Sequence, residues 1–266
     1  MSTQVFWVLV LTFLINLIST LSYSVRIVGI RTKKIAVSFA LFNVLVLISR
    51  TANGFQSPVL ANIVEKTISA HGLNPIEQFC WILWMTSFAT LVGALLIPSF
   101  QRLFSYAVIH FSRHKSIPDL LLLGFSPAGF QKVQASMVLP RYSTISGLRS
   151  RGQIPWRIIT FNVIAVAVLT VGVLASLYAG YLNPAFRTTS SNLSSVINGL
   201  ATILMFLFID PYLSILTDEV AEGKYEESSF RQQVVWMVVA RLVGTLVAQA
   251  IFLPAAQLIV AIAEQM

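Results

Sequence analysis

Ile158-Ile-Thr-Phe-Asn-Val-Ile-Ala-Val-Ala-Val-Leu-Thr-Val-Gly-Val-Leu-Ala-Ser-Leu-Tyr-Ala-Gly-Tyr-Leu-Asn-Pro-Ala-Phe186 contains no charged residue. About 20 apolar residues in a helix cross roughly 30 Å of hydrocarbon. This run is long enough to cross a bilayer. Similar runs recur. No charge precedes Arg26, and residues 78–101 and 188–209 carry none. Lys34 to Glu65 holds only Arg50, and residues 232–263 hold only Arg241. The spans expected from these runs are 4–24, 35–55, 78–101, 158–182, 193–216 and 234–262. The chain therefore reads as an all-α polytopic membrane protein of about six helices, one integral membrane domain over 1–266. The first span lacks the basic start of a signal peptide, and its apolar stretch is too long for one.

Composition agrees. The 266 residues are 56% hydrophobic and 11% charged, with mean hydropathy +0.78. A soluble domain carries about a quarter charged residues. An ordinary soluble enzyme, a disordered chain and a disulfide scaffold are all excluded. The single cysteine, Cys80, leaves no disulfide within the chain and no Cys-based metal site. The net charge of +8 sits in connections. Fourteen basic residues fall between spans 1 and 2, 3 and 4, or 5 and 6; Arg50, Lys66 and Arg187 fall on the other side. The positive-inside rule then places both termini outside and assigns the charge to the cytoplasmic face rather than to nucleic acid.

The connection over 102–156 is long. Its apolar stretch Ile117–Phe125 is too short to span and reads as an interfacial or re-entrant element. Repeats give conflicting signals. Ala94-Leu-Leu-Ile-Pro-Ser-Phe-Gln101 resembles Ala250-Ile-Phe-Leu-Pro-Ala-Ala-Gln257, as a three-plus-three inverted repeat requires. Gly54–Pro58 and Gly180–Pro184 follow spans that such a scheme does not equate.

Catalytic motifs are missing. There is no phosphate loop, no HExxH and no Gly-x-Ser-x-Gly elbow. His110 and His114 are four apart, a spacing that any surface helix gives by chance. No metal, cofactor or enzymatic activity is expected.

Polar residues do form stripes, since positions three or four apart share a helix face. Asn16, Ser19 or Thr20, Tyr23 and Arg26 form one stripe, and Asn43, Arg50 and Asn53 another. Ser195, Asn198 and Thr202 precede Asp210, and Arg241, Thr245 and Gln249 follow at four-residue spacing. Ser, Thr and Asn commonly tie membrane helices together. Charges within hydrocarbon cost at least about 2.5–3.5 kcal/mol and normally face a bundle interior or a wet cavity. The stripes suggest one hydrated electropositive cavity suited to a phosphate-bearing headgroup. Asp210 and Arg241 are expected to pair across adjacent helices. Arg50 is expected near the outer exit, with Arg26 and Arg31 at the inner entrance.

The run Leu17-Ile-Ser-Thr-Leu-Ser-Tyr23-Ser-Val-Arg26 through Arg31-Thr-Lys-Lys to Asn43 and Ser49-Arg50-Thr-Ala-Asn53 resembles the Amj family, bacterial lipid II flippases that are the alternate to MurJ. Phe208-Ile-Asp210-Pro211-Tyr-Leu-Ser and the acidic segment after it are similar to the same family. The resemblance implies translocation of undecaprenyl-diphosphate-linked disaccharide-pentapeptide from the inner to the outer leaflet of the bacterial cell membrane. It carries over no set of site residues. The polar stripes alone nominate Arg50, Arg26, Arg31, Asn53, Asn43, Asn16, Tyr23, Arg241, Asp210, Gln249 and Asn198 as substrate-binding. The alternatives are a transporter of another anionic or prenyl-phosphate lipid, a membrane enzyme acting on prenyl phosphates, and a non-transporting scaffold. Membrane lipids are expected partners, and self-association is left open.

Overall fold

The computed structural model describes residues 3–69, 74–116, 119–120, 122, 126–138 and 154–266. The helices are α1 (Thr3–Thr32), α2 (Ile35–Ser69), α3 (Ile76–His114), α4 (Pro127–Ser136), α5 (Trp156–Leu182), α6 (Arg187–Leu204), α7 (Asp210–Ala221) and α8 (Glu227–Gln265). A short 3₁₀ turn, Pro184–Phe186, leads into α6, and a π-helical turn, Met205–Ile209, joins α6 to α7. Pro184–Ala221 therefore acts as one span, and six segments are long and apolar enough to cross a membrane. No strand occurs among the described residues.

Several helices outrun the charge-free segments. Backbone hydrogen bonds do not stop where hydrocarbon stops, so α2 carries Arg50 and Lys66 and α3 carries Arg102 and Arg113. The α1–α2 turn needs Lys33 in a left-handed conformation (φ 56°), and the Lys34 N–H closes back on the Gly29 carbonyl at 2.9 Å. This is a common helix ending. Pro58, Pro98 and Pro254 sit inside helices, where membrane helices tolerate them. In the long connection, α4 starts at Ser126, whose hydroxyl accepts from the Gly129 N–H at 3.1 Å. Ser99 Oγ on α3 pairs with the Val138 N–H and carbonyl, both at 2.9 Å, and holds the end of α4 against α3. Most of the apolar segment 117–125 lies outside the described residues.

The six spans form two groups with the same packing. Helix α1 lies along both α2 and α3, and α5 lies along both α6 and α8. The halves meet where α3 touches α8 and α2 touches α5, with α1 reaching α7 and α8. Small residues permit the closest crossings: a Cβ at Gly93 would come 2.8 Å from Thr20, and one at Gly244 would come 2.9 Å from the Val163 carbonyl. At the end that carries both termini, Val8, Leu60, Phe79, Ile82, Tyr178 and Phe252 make an apolar core. At the opposite end, which carries 11 of the 15 Lys and Arg among the described residues, one core gathers Ile209, Leu213, Phe230 and Met237. Another gathers Val28, Phe42 and Phe104. Trp7, Phe55, Trp81, Trp84, Leu200 and Phe206 are exposed, as lipid-facing side chains should be.

Candidate functional site

Arg26 lies near the basic end of α1, and its guanidinium sits between α2 and α7. It donates to Ser214 Oγ at 2.9 Å and reaches Asp210 Oδ1 at 3.4 Å. Its charge lies over the Phe39 ring of α2, 5.1 Å from the centroid. The Arg26 side chain is 11% exposed and that of Asp210 42%. The cation is held from three sides, while the carboxylate opens outward. The local backbone explains where Asp210 points. Pro211 has no N–H, and its ring crowds the carbonyl one turn back. The preceding turn widens, and the Asp210 N–H bonds to the Met205 carbonyl five residues earlier. Such π turns re-aim a side chain and recur at functional positions.

The expected Asp210–Arg241 pair is not formed. Asp210 goes to Arg26, and Arg241 finds neutral partners on α1: Nε donates to Thr20 Oγ1 and Nη2 to Asn16 Oδ1, both at 3.2 Å. Next to it, Tyr23 Oη donates to Asn162 Oδ1 at 3.0 Å, and Asn162 Nδ2 to the Met237 carbonyl at 2.9 Å. Gln56 of α2 donates to Thr12 Oγ1 at 2.8 Å. Further along, Ser87 donates to Thr245 at 3.1 Å and accepts from Gln249 Nε2 at 2.8 Å. Gln56–Thr12 ties α2 to α1 and Asn162–Met237 ties α5 to α8, each within one half; the other bonds run through the buried junction of α1, α3, α5 and α8 and read as fasteners between halves.

The α2 stripe is different. Phe39, Asn43, Val46, Arg50, Asn53, Ser57 and Ala61 recur every three or four residues and share a face. At the basic end this face meets Arg26 through Phe39. Near the other end of α2, Glu65 Oε1 lies 3.6 Å from Arg187 Nη2 of α6. At the basic end this contact is with α1, whose Arg26 reaches Asp210 of α7, and at the other end it is with Arg187 of α6. Between them Asn43, Arg50 and Asn53 are exposed. Among the described residues, none of these three bonds to another helix. Arg50 stands about 16 Å along the helix from Phe39 and about 22 Å from Glu65, at about 1.5 Å per residue. A charge at that depth normally faces a bundle interior or a wet cavity, or snorkels to the interface.

The nominated residues therefore divide. Arg26 and Asp210 pair between α1 and α7, and Asn43, Arg50 and Asn53 are exposed on one face of α2. Asn16, Tyr23, Arg241 and Gln249 belong to the buried junction. Arg31 lies at the basic end, 2.8 Å from Glu227 Oε1 and 3.3 Å from Gln101 Oε1. Asn198 lies in the α5–α6 seam. His110 and His114 stack on each other at the basic end of α3, ring centroids 4.2 Å apart. Sequence reasoning missed Asn162, fully buried, because span 4 looked otherwise apolar. An amide within an apolar span is itself a signal, because it must find a partner. Ser214, Phe39 and the Glu65–Arg187 pair had no local signal, because their roles depend on which helices meet.

The family model described as "Alternate to MurJ", Amj, matches residues 11–263. The protein named "Lipid II flippase Amj" from Bacillus subtilis (strain 168) is 37% identical over 260 residues, covering 96% of this chain and 95% of that one. No solved structure matches.

Proposed function

The chain belongs to the Amj family, and from that premise we propose that it translocates lipid II from the inner to the outer leaflet of the bacterial cell membrane. The observation that carries the reading is the near full-length similarity to a protein named for that activity. The geometry supplies a route consistent with it. The polyprenyl tail stays in lipid while the sugar-peptide diphosphate crosses beside the α2 stripe. Stripping water from a diphosphate without replacement costs many kcal/mol. Asn43, Arg50 and Asn53 replace that water from one wall, and the Arg26–Asp210 pair stands at the basic end.

A guanidinium offers a planar fork that matches phosphate oxygens and keeps its charge when partly dehydrated. Arg26 shares its charge with Asp210, so its hold on an anion is moderated. Among the described residues, Arg50 has no such partner. Two cationic stations of modest strength let a headgroup pass from one to the next without a deep trap. The basic end collects anionic lipid at the cytoplasmic leaflet. The step is a displacement with no bond made or broken, so the protein acts as a transporter and not as an enzyme. The test is reconstitution. Proteoliposomes containing the purified chain and fluorescent lipid II should expose inner-leaflet lipid to an impermeant quencher faster than empty liposomes. Equal rates would sink the reading.

A further inference from the structure

Helix α3 continues past its charge-free run from Arg102 to His114, and α4 lies along that extension. Two contacts fix the register. Ser99 Oγ bonds to Val138, just after α4, at 2.9 Å, and Lys132 Nζ of α4 sits 5.1 Å from the centroid of the Tyr106 ring. Residue numbers rise along α3 as they fall along α4, so the two run antiparallel, with the C-terminal end of α4 toward the hydrocarbon. Ser99 belongs to the charge-free run 78–101. Met137 therefore stands at the hydrocarbon edge. Tyr106 is about 6 Å beyond Arg102, at the level of the headgroups.

What this pair of helices shows to its surroundings is mixed. Gly129 is buried, and Val133 and Ser136 are half-buried. Phe130 and Met137, seven apart and so on one face of α4, are 71% and 68% exposed. Arg102 and Lys132 are exposed as well. From Arg102 to Pro155 the sequence holds one acidic residue, Asp119. Among the described residues, neither Arg102 nor Lys132 has an ion-pair partner. Lys132 rests on the Tyr106 ring instead, and Arg102 is one turn from Tyr106 on the same face of α3. Two cations without counter-charges thus flank one phenol. Cations alone would suit any polyanion, and apolar side chains alone would suit many partners. Both together, at the edge of the hydrocarbon, are what a surface element presents to anionic lipid.

We propose that the α3–α4 face binds acidic phospholipid of the inner leaflet, with Arg102 and Lys132 on the headgroup phosphate, Phe130 among the headgroups and Met137 against the acyl chains. Tyr106 positions Lys132. The assignment uses no part of the transport reading, and no lipid II enters its test.

The test uses the full-length chain in a Cys80→Ser background, reconstituted in phosphatidylcholine vesicles. A fluorophore is attached at Met137→Cys or, as a control, at Trp84→Cys, which is exposed near the other end of α3. A small fraction of phosphatidylglycerol or of phosphatidylcholine carries a quenching spin label high on its acyl chain. At 137 labelled phosphatidylglycerol should quench at least twice as strongly as labelled phosphatidylcholine, and at 84 the two should quench alike. Each cation at an anionic surface gives roughly a fivefold preference, so the Arg102→Gln, Lys132→Gln double variant should bring the two labels to parity at 137. Salt at about 0.5 M should weaken the wild-type preference, because exposed charges are screened. Absence of quenching at 137 by either lipid puts the end of α4 in water and overturns the proposal. Equal quenching by the two lipids overturns the choice of acidic lipid. The same preference at 84 as at 137 overturns the site in favour of general enrichment around the protein. A preference that survives in the double variant overturns Arg102 and Lys132 as its ligands. Should the double variant fail to fold, the wild-type comparison of 137 with 84 still decides.

Discussion

Arg26 and Arg50 carry the same charge into different surroundings, and substitutions should separate them. Arg26 is tied to Asp210 and Ser214 and covered by Phe39. In a double-mutant cycle, Arg26→Gln and Asp210→Asn should couple by about 0.5–3 kcal/mol, as contacting groups do. Arg241→Gln with Asp210→Asn should instead add within about 0.5 kcal/mol, because these two have separate partners. Chemical denaturation of the purified variants reads both cycles. A coupled Arg241–Asp210 pair would contradict the geometry. Arg50 is exposed, so its removal should leave stability within about 0.5 kcal/mol, the usual range for surface positions. Arg50→Ala should nevertheless slow lipid II appearance at the outer face severalfold, and Arg50→Lys should recover only part. Wild-type rates for both variants at matched protein levels would remove Arg50 from the route. The residue-scale lesson is one of pairing. That Asp210 and Arg241 needed company was legible from the cost of charge in hydrocarbon, while Arg26 was expected only at the inner entrance. Which of them meet was not legible, because partners 184 and 225 residues apart are chosen by helix packing.

At the scale of elements, the π turn at Met205–Ile209 aims Asp210. Pro211→Ala restores a backbone donor and lets the turn close as an ordinary α-helix. Removing the extra residue of a π turn rotates one flank against the other by about 100°. Asp210 should then leave Arg26. The expected outcome is unchanged or raised thermal stability with flipping reduced severalfold. Full activity would show that the π turn has no part in transport. The spans themselves were legible, since charge-free runs of this length allow little else. Their ends were not, because helices continue past the bilayer with their charges. The α2 stripe was also legible as a spacing, but its openness was not. Periodicity tells which residues share a face and is silent on what that face meets.

Across the whole molecule, two three-helix groups are joined at both ends by exposed ion pairs, Arg31–Glu227 and Glu65–Arg187. Exposed pairs contribute at most about 1 kcal/mol each, so either can open at little cost. Cysteines at 65 and 187, in a Cys80→Ser background and joined by a flexible bifunctional reagent, should stop flipping. A reducing step that cleaves the reagent should restore it. Continued flipping in the cross-linked protein would show that the halves need not part there. Orientation is tested separately by Phe130→Cys on exposed α4, in the same Cys80→Ser background. The basic end predicts no labelling of intact cells by an impermeant thiol reagent, and labelling would reverse the topology. The similar packing of the two groups was only half legible, since one sequence likeness, around Pro98 and Pro254, favoured it and another opposed it. The most direct measurement is outer-leaflet accessibility of lipid II in cells where this chain is the sole flippase, with wild type set against an Arg26→Gln, Arg50→Gln double variant. The account predicts that wild type exposes lipid II and that the folded double variant falls to the level of cells lacking the chain. Wild-type exposure no greater than in cells lacking the chain would contradict the account.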